Sequence, residues 1–523
     1  MRRFRPASIG RHRLRTVMMI VLGVLFWIPA WPESQVASAT LVVGSETEEL
    51  VRWYRCTLGG RPCGRVRETT EIDAEGGTRW TTDLELRFLR ENTVARTRIV
   101  TRIDVGPEGG LREMMLSQEL GGPSVVTLWT FLEDSVIERR SQGDRVVRST
   151  LPRPTGEWHH PAAALEIARR TATPTTPCRL RVLDPAGGLE PRDVEYRPAG
   201  RVEIETPDGL RDGERWLVTR SGGDESIEII DLQGTLLRSE VVMGVGLGTL
   251  RMDATTAQGA IEALEARVEL LDAGLVRPRF VGRPRRLDRG GIVTYRVRPK
   301  NGASIELPSI GGQRIQPEED GGTLLVEIDP ARGSEVEPDL DRAGHLTATA
   351  LLDAEDPAVV RFARGADRPG GNDLERARAL RSAVHRHIVR KDLATAFATA
   401  GETVRARRGD CSEHAVLLAA GLRAVGIPSR TVSGLVWVPR DSERAGVFLW
   451  HMWTQALIAE SWIDLDATLG GSRSFHPGHL AVSVADGSPA SIEAGGREML
   501  EIFGGIEIDV LPPGTDFPSR DPE

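Results

Sequence analysis

The hydrophobic period of this chain lengthens for a sustained stretch from near Leu374, and that change governs what it can fold into. Before it, apolar residues recur at every second position. Leu84, Leu86 and Phe88 alternate with Glu85 and Arg87, and Thr97, Ile99, Thr101, Ile103 and Val105 alternate mainly with charged residues. A period of two buries one face of a strand and leaves the other wet, which suits antiparallel rather than parallel sheet. From Leu374 the spacing lengthens to that of a helix, with Leu380, Val384 and Ile388 on one face. A further helix is expected over Thr399–Arg407, and another over Ser412–Val425, apolar on most sides and therefore buried. Strands return at Ser429–Val438, Phe448–Ile458 and Trp462–Asp466, so the last third reads as α+β.

At 523 residues the chain exceeds one ordinary domain. The pattern divides it into an antiparallel β-rich domain over 40–272, a small β-domain over 273–362 and an α+β core over 363–511, with a Pro-rich tail at 512–523. Asp231-Leu232-Gln233-Gly234 reads as a hairpin turn. Ile261, Leu264 and Val268 suggest a short helix closing the first domain. The second contains alternating Val293, Tyr295 and Val297 and a strand at Leu325–Ile328. Asp367–Asp373 is turn-rich, and Gly505–Leu511 is a candidate last strand.

The N-terminus carries an address. Six arginines between Arg2 and Arg15 precede an apolar run from Val17 to Trp31 and the small-residue pattern Ala37-Ser38-Ala39. The run is shorter than the ~20 residues of a spanning helix, so 1–39 is expected to be a cleaved signal peptide and the protein periplasmic or secreted. The alternative is an uncleaved inner-membrane anchor facing the periplasm. Apart from Lys300 and Lys391, all of the 67 basic residues are arginine, and they form no patch. With a net charge of −8, nothing points to nucleic acid. Cys56 and Cys63 flank Gly59-Gly60, so a small disulfide loop is feasible in an oxidising compartment, while Cys178 reads as a free thiol.

The fourth cysteine carries the chemistry. Gly409-Asp410-Cys411-Ser412 puts a thiol on the first turn of a buried helix, immediately after a glycine turn. Unpaired amide N–H groups and the helix dipole there favour a thiolate and can hold an oxyanion. Downstream, His451-Met452-Trp453 opens a strand and Trp462–Thr468 follows within hairpin distance. A thiol at a helix start, a histidine on the facing sheet and an acid on the next strand make an acyl-transfer triad, here Cys411, His451 and Asp466. Asp464 lies on the same strand face as Asp466, so alternation alone does not choose between them.

Four pieces in order resemble the transglutaminase-like superfamily core, whose fold is related to papain. They are Gly409-Asp410-Cys411, Gly426-Ile427-Pro428-Ser429-Arg430, His451-Met452-Trp453, and Trp462 through Thr468. The family spacing from the tryptophan selects Asp466. Ala467 stands where the family has proline, and no Trp, Tyr or Gln lies between Gly365 and Cys411 to supply the upstream oxyanion donor of animal transglutaminases. The β-rich N-terminal half resembles what precedes this core in many exported bacterial proteins. The resemblance implies a cysteine-dependent amide hydrolase or acyltransferase that needs no cofactor and acts on a protein or peptide. A peptidase dedicated to one partner protein and a non-catalytic binding module on the same scaffold remain alternatives. His414, three residues past the thiol, is expected to be structural, and Glu413 to pair with Arg430. His476/His479 and His385/His387 have ligand-like spacing but no carboxylate or cysteine in company, so they are read as surface, and no metal is expected.

Overall fold

In a computed structural model the chain is described over residues 48–517, apart from short internal stretches of which the longest is 391–397. The expected signal segment, 1–39, lies outside the described residues, as does the end of the expected tail. Among the described residues no helix is long and apolar enough to cross a membrane. The chain forms two compact units that meet in sequence between Gly274 and Leu275.

The first unit is one large sheet. Strands β1 (Glu48–Leu58), β2 (Arg61–Ile72), β3 (Thr78–Arg90), β4 (Thr93–Val105), β5 (Leu111–Glu119), β6 (Val125–Phe131), β7 (Ser135–Gln142) and β8 (Arg145–Pro152) follow one another as an antiparallel meander. A second meander holds β9 (Cys178–Val182), β10 (Arg192–Thr206), β11 (Gly209–Arg220), β12 (Glu225–Asp231), β13 (Leu236–Val242) and β14 (Thr249–Thr255), and β1 pairs with β14 to join the two. Leu84, Leu86, Ile99 and Ile103 are buried, as the alternation requires. Between β12 and β13 the turn is the expected one, closed by Gly234 N–H donating to Asp231 O at 3.0 Å.

Two helices accompany this sheet. α1 (Pro161–Thr171) has Pro161 in its first turn, where a missing N–H costs nothing, and buries Ala164, Leu165 and Ala168. The sequence reading did not include it. His159, just before it, pairs with Val182 and so covers the exposed edge of β9. α2 (Ala257–Glu265) is the expected short helix, but its buried face is Ala260, Ala263 and Leu264. Ile261 points to solvent, and Val268 belongs to a two-residue strand, β15 (Val268–Glu269), beside β3. Small residues let a helix lie close to a sheet, and a stripe drawn through the large residues missed that face.

The second unit contains the period change. Its first sheet runs in the order β16 (Arg279–Phe280), β25 (Ile506–Val510), β17 (Val293–Pro299), β19 (Leu324–Ile328), β18 (Gln313–Pro317). Its second runs β20 (Ser334–Glu335), β23 (Ser461–Leu465), β22 (Glu443–Ile458), β21 (Ser429–Arg440), β24 (His479–Ala485). Val293, Tyr295, Val297 and Val326 share one core with Leu435, Phe448, Leu480 and Ile508. The stretch 273–362 is therefore not set apart from 363–511: its strands need β25 as a sheet partner and the second sheet as a packing face.

Four helices cover the other side: α3 (Pro357–Ala366), α4 (Asp373–His387), α5 (Ala400–Ala406) and α6 (Cys411–Ala424). α4 starts within one residue of Leu374, and the bounds of α5 and α6 lie within one residue of those read from the sequence, whereas α3 falls largely in the stretch read as β-domain. Val416, Leu417, Leu418 and Leu422 of α6 pack with Leu380 and Val384 of α4 and with Ala456 and Leu465 beneath. α6 is buried on all sides, as its continuous apolar pattern requires.

Candidate active site

The site is built around the start of α6. Gly409, at φ 150°, turns the chain into the helix, and Asp410 caps it, accepting from Ser412 N–H at 2.9 Å. Glu413 completes a capping box by accepting from Asp410 N–H at 2.8 Å. It also accepts from Ala398 N–H at 3.0 Å, which ties the preceding segment to the helix. Burial, then the neighbouring Asp410, push the Glu413 carboxyl up to about 8. Cys411 is the first residue of this capped helix and is half-buried, while the residues after it are buried. Thr454 of β22 donates to Ala415 O at 2.9 Å and fixes the helix to the sheet.

His451 lies on β22, opposite Gly434 of β21. A side chain at Gly434 would run into the Leu480 carbonyl, so glycine there lets β24 come close. His451 Nε2 is 2.8 Å from Asp466 Oδ2, and the Cys411 side chain is near enough to add to the ring's affinity for a proton. Burial alone would lower the affinity of this ring for a proton. The Asp466 carboxylate and the Cys411 thiol outweigh it and raise His451 to about 10. Asp466 is wholly buried, which opposes ionisation, yet His451 and a second histidine hold it well below the usual carboxylate range.

Asp464 has different company. It accepts from Trp453 Nε1 and Gln455 Nε2, both at 2.8 Å, and from Gly312 N–H at 2.9 Å. Gln455 in turn accepts from Arg430 at 2.9 Å, and Arg430 lies 4.0 Å over the Trp462 ring. Arg430 and Trp462 both reach Glu337, each at 3.2 Å. The arginine and tryptophans of the sequence motifs thus form a buried framework on which the strands bearing His451 and Asp466 are registered. Arg430 pairs with Glu337 rather than with Glu413, correcting the expected pair.

Two contributors escaped the sequence reading. Arg381 of α4 donates to the backbone carbonyl of Asp466 at 2.7 Å and to those of Leu469 and Gly471, so it clamps the loop after β23. An arginine in the midst of Ala377, Leu380 and Val384 on a buried helix face was the available signal. The other is His479, read as surface but only 1% exposed, with Nε2 3.2 Å from Asp466 Oδ2. His476 is buried beside it, and His385 bonds the Ala467 carbonyl at 3.0 Å, so neither histidine pair is a surface feature. His414 is buried against the Asp410 carbonyl, the structural place expected of it. His451, Asp466 and His479 bring three potential metal-ligand atoms within 4.8 Å of one another. The two Nε2–Oδ2 hydrogen bonds already account for that convergence.

Residues 360–467 match the sequence model of the transglutaminase-like superfamily. The chain carries a transglutaminase-like domain. The match runs from within α3 through α4 to α6 and β22, which bears His451, to Asp466 just past the end of β23, and the large β-rich region precedes it. No curated protein sequence matches the chain. Among solved structures, one described as a candidate cysteine protease from Cytophaga hutchinsonii is 16% identical, covering 44% of this chain and 90% of that one, with a TM-score of 0.26. The periplasmic domain of TgpA from Pseudomonas aeruginosa is 18% identical over 40% of this chain and 75% of that one, at 0.26. A β-barrel-like protein of a domain family of unknown function, from Brucella abortus, is 10% identical over 42% and 97%, at 0.30.

Proposed function

We propose that this protein is a thiol enzyme acting on protein or peptide amide bonds, with Cys411 as nucleophile, His451 as its acid–base partner and Asp466 as the group that orients His451. One observation carries the reading: a buried imidazole held between a helix-start thiol and a buried carboxylate 2.8 Å away. A histidine raised to about 10 stays protonated at neutral pH and stabilises a neighbouring thiolate. The thiolate attacks the amide carbonyl carbon. As the C–N bond breaks, the His451 imidazolium gives its proton to the departing amine and leaves a thioester. Water or a second amine then attacks the thioester, His451 takes the proton of that nucleophile, and the thiolate is released. Hydrolysis and acyl transfer share every step up to the acceptor.

The residues before 48 supply the location: a basic segment, an apolar run and Ala37-Ser38-Ala39 support export, with a mature chain beginning at Thr40. Mass spectrometry of the exported protein should find Thr40 at its start, and Met1–Ala39 still attached would mean an anchored protein instead. The activity is tested by alkylating the mature protein with iodoacetamide across pH. Wild type should label at Cys411 at pH 6, well below the ordinary thiol range, and His451→Ala should not. Equal labelling of the two proteins at pH 6 would remove His451 from the mechanism and leave the domain a binding scaffold.

A further inference from the structure

Asp466 is held from more sides than an orienting carboxylate needs. Oδ1 accepts from Thr468 N–H at 2.6 Å, and Oδ2 is shared by His451 Nε2 at 2.8 Å and His479 Nε2 at 3.2 Å. His479 opens β24, the edge strand beyond β21, so it reaches Asp466 from a different direction than β22 does. It is itself firmly seated. Its ring packs between Trp453, with centroids 5.3 Å apart, and Phe475, at 4.5 Å, and its Nδ1 accepts from His476 N–H at 3.4 Å, which leaves the ring proton on Nε2. The turn that delivers it is pinned by Tyr295 donating to Pro477 O at 2.7 Å and by Trp437 N–H donating to Gly478 O at 2.8 Å.

We infer that His479 is a positioning residue: by donating Nε2–H to Asp466 Oδ2, it fixes the plane of the carboxylate so that the His451 ring is held facing Cys411. The inference rests on the thiol-enzyme reading above. A carboxylate on a short side chain turns freely about its last bond unless both ends are held. Thr468 holds one oxygen, and His451 cannot hold the other independently, because its own orientation is what the carboxylate must supply. His479, anchored outside the Cys411–His451 pair, is the independent partner. The ionisable and charged groups around it are His451 on β22, Asp464 on β23, Asp466, and His476 in the same turn. Asp288 lies beyond His476, Cys411 beyond His451, and Arg381 of α4 behind Asp466.

The test compares the pH profile of Cys411 alkylation in the full chain for wild type, His479→Phe and His479→Gln. Phenylalanine keeps the aromatic packing but has no donor, whereas a glutamine amide occupies roughly the place of Nε2 and donates. His479→Phe should move the profile toward alkali by about one unit, a loss of rate of about three- to fivefold at pH 6 with no loss near pH 9.5, where the thiol is ionised without help. His479→Gln should recover most of the rate at pH 6. A His479→Phe profile that superimposes on wild type, or moves toward acid, overturns the inference. Should His479→Phe not fold, nitrogen-15 NMR of histidine-labelled wild type decides, since His479 Nε2 must carry a proton. Failure of the underlying reading looks different: wild-type Cys411 would show no excess reactivity at pH 6 and His451→Ala would change nothing.

Discussion

Replacing Asp466 with asparagine removes one charge from a buried site. Asp466 is wholly buried, and its carboxylate is what lifts His451 to about 10 against the effect of burial. In Asp466→Asn only the Cys411 side chain still opposes burial, and His451 falls back toward its ordinary 6.5. At pH 7 the ring then passes from imidazolium to neutral, and Cys411 loses the positive charge that would stabilise its thiolate. An imidazolium beside a thiol is in general worth about two pH units, or about 3 kcal/mol. The rate of alkylation at pH 6 should therefore fall about 10²-fold. Wild type should be nearly flat from pH 6 to 9, and the mutant should climb about tenfold per unit. Turnover should fall at least as far, though by less than the ~10⁴ of the equivalent serine-protease change, because a thiolate–imidazolium pair needs less help. Circular dichroism establishes that the fold persists. A mutant profile as flat as wild type would show that Asp466 does not set the charge of His451, and the assignment of the acid would have to be abandoned.

Three further outcomes follow from neighbouring features. Asp464→Asn should lower the melting temperature, at a cost of about 1–3 kcal/mol for the donors it strands, while alkylation at pH 6 stays within about threefold of wild type. If Asp464→Asn is the substitution that silences Cys411, the roles of the two acids are reversed. Because His451 is raised from 6.5 to about 10 on folding, its stabilising contribution is complete below pH 6.5 and is lost as pH rises toward 10. Melting temperature should decline over that window, and His451→Gln should flatten the decline; an equal slope in both proteins would contradict the linkage. Cys56 and Cys63 are buried, with Cys56 pushed well above the thiol range and Cys63 up to about 12. Peptide mapping after native labelling at pH 7 should therefore find Cys411 modified at least tenfold faster than either, and comparable rates would mean that the first unit opens readily.

What the sequence made legible was local. The helix start at Cys411, the Gly-Ile-Pro break and the strand with His451 are each announced by a few adjacent residues, and the structure has them where the pattern did. Non-local features stayed hidden. His476-Pro477-Gly478-His479 has the composition of a surface turn, and only the closeness of β24 to β21, permitted by Gly434, buries it. The strands over 293–328 read as a separate domain because the partner of β17 is β25, more than 200 residues away. In the choice between Asp464 and Asp466, strand alternation was silent. What separates them is company: tryptophan, glutamine and a backbone amide around one, imidazoles around the other.

The place of β25 has a consequence for how the protein is made. Ile506–Val510 is an inner strand of its sheet, bonded to β16 on one side and β17 on the other, and Ile506, Ile508 and Val510 enter the core that also takes Leu435, Phe448 and Leu480. During synthesis β17, β21 and β22 emerge from the ribosome long before it. Their apolar faces border a core that is completed by a strand not yet translated. A nascent chain stalled before residue 506 holds every residue of the thiol site and still lacks Ile506, Ile508 and Val510, so the filling of that core is timed by the arrival of a distant strand.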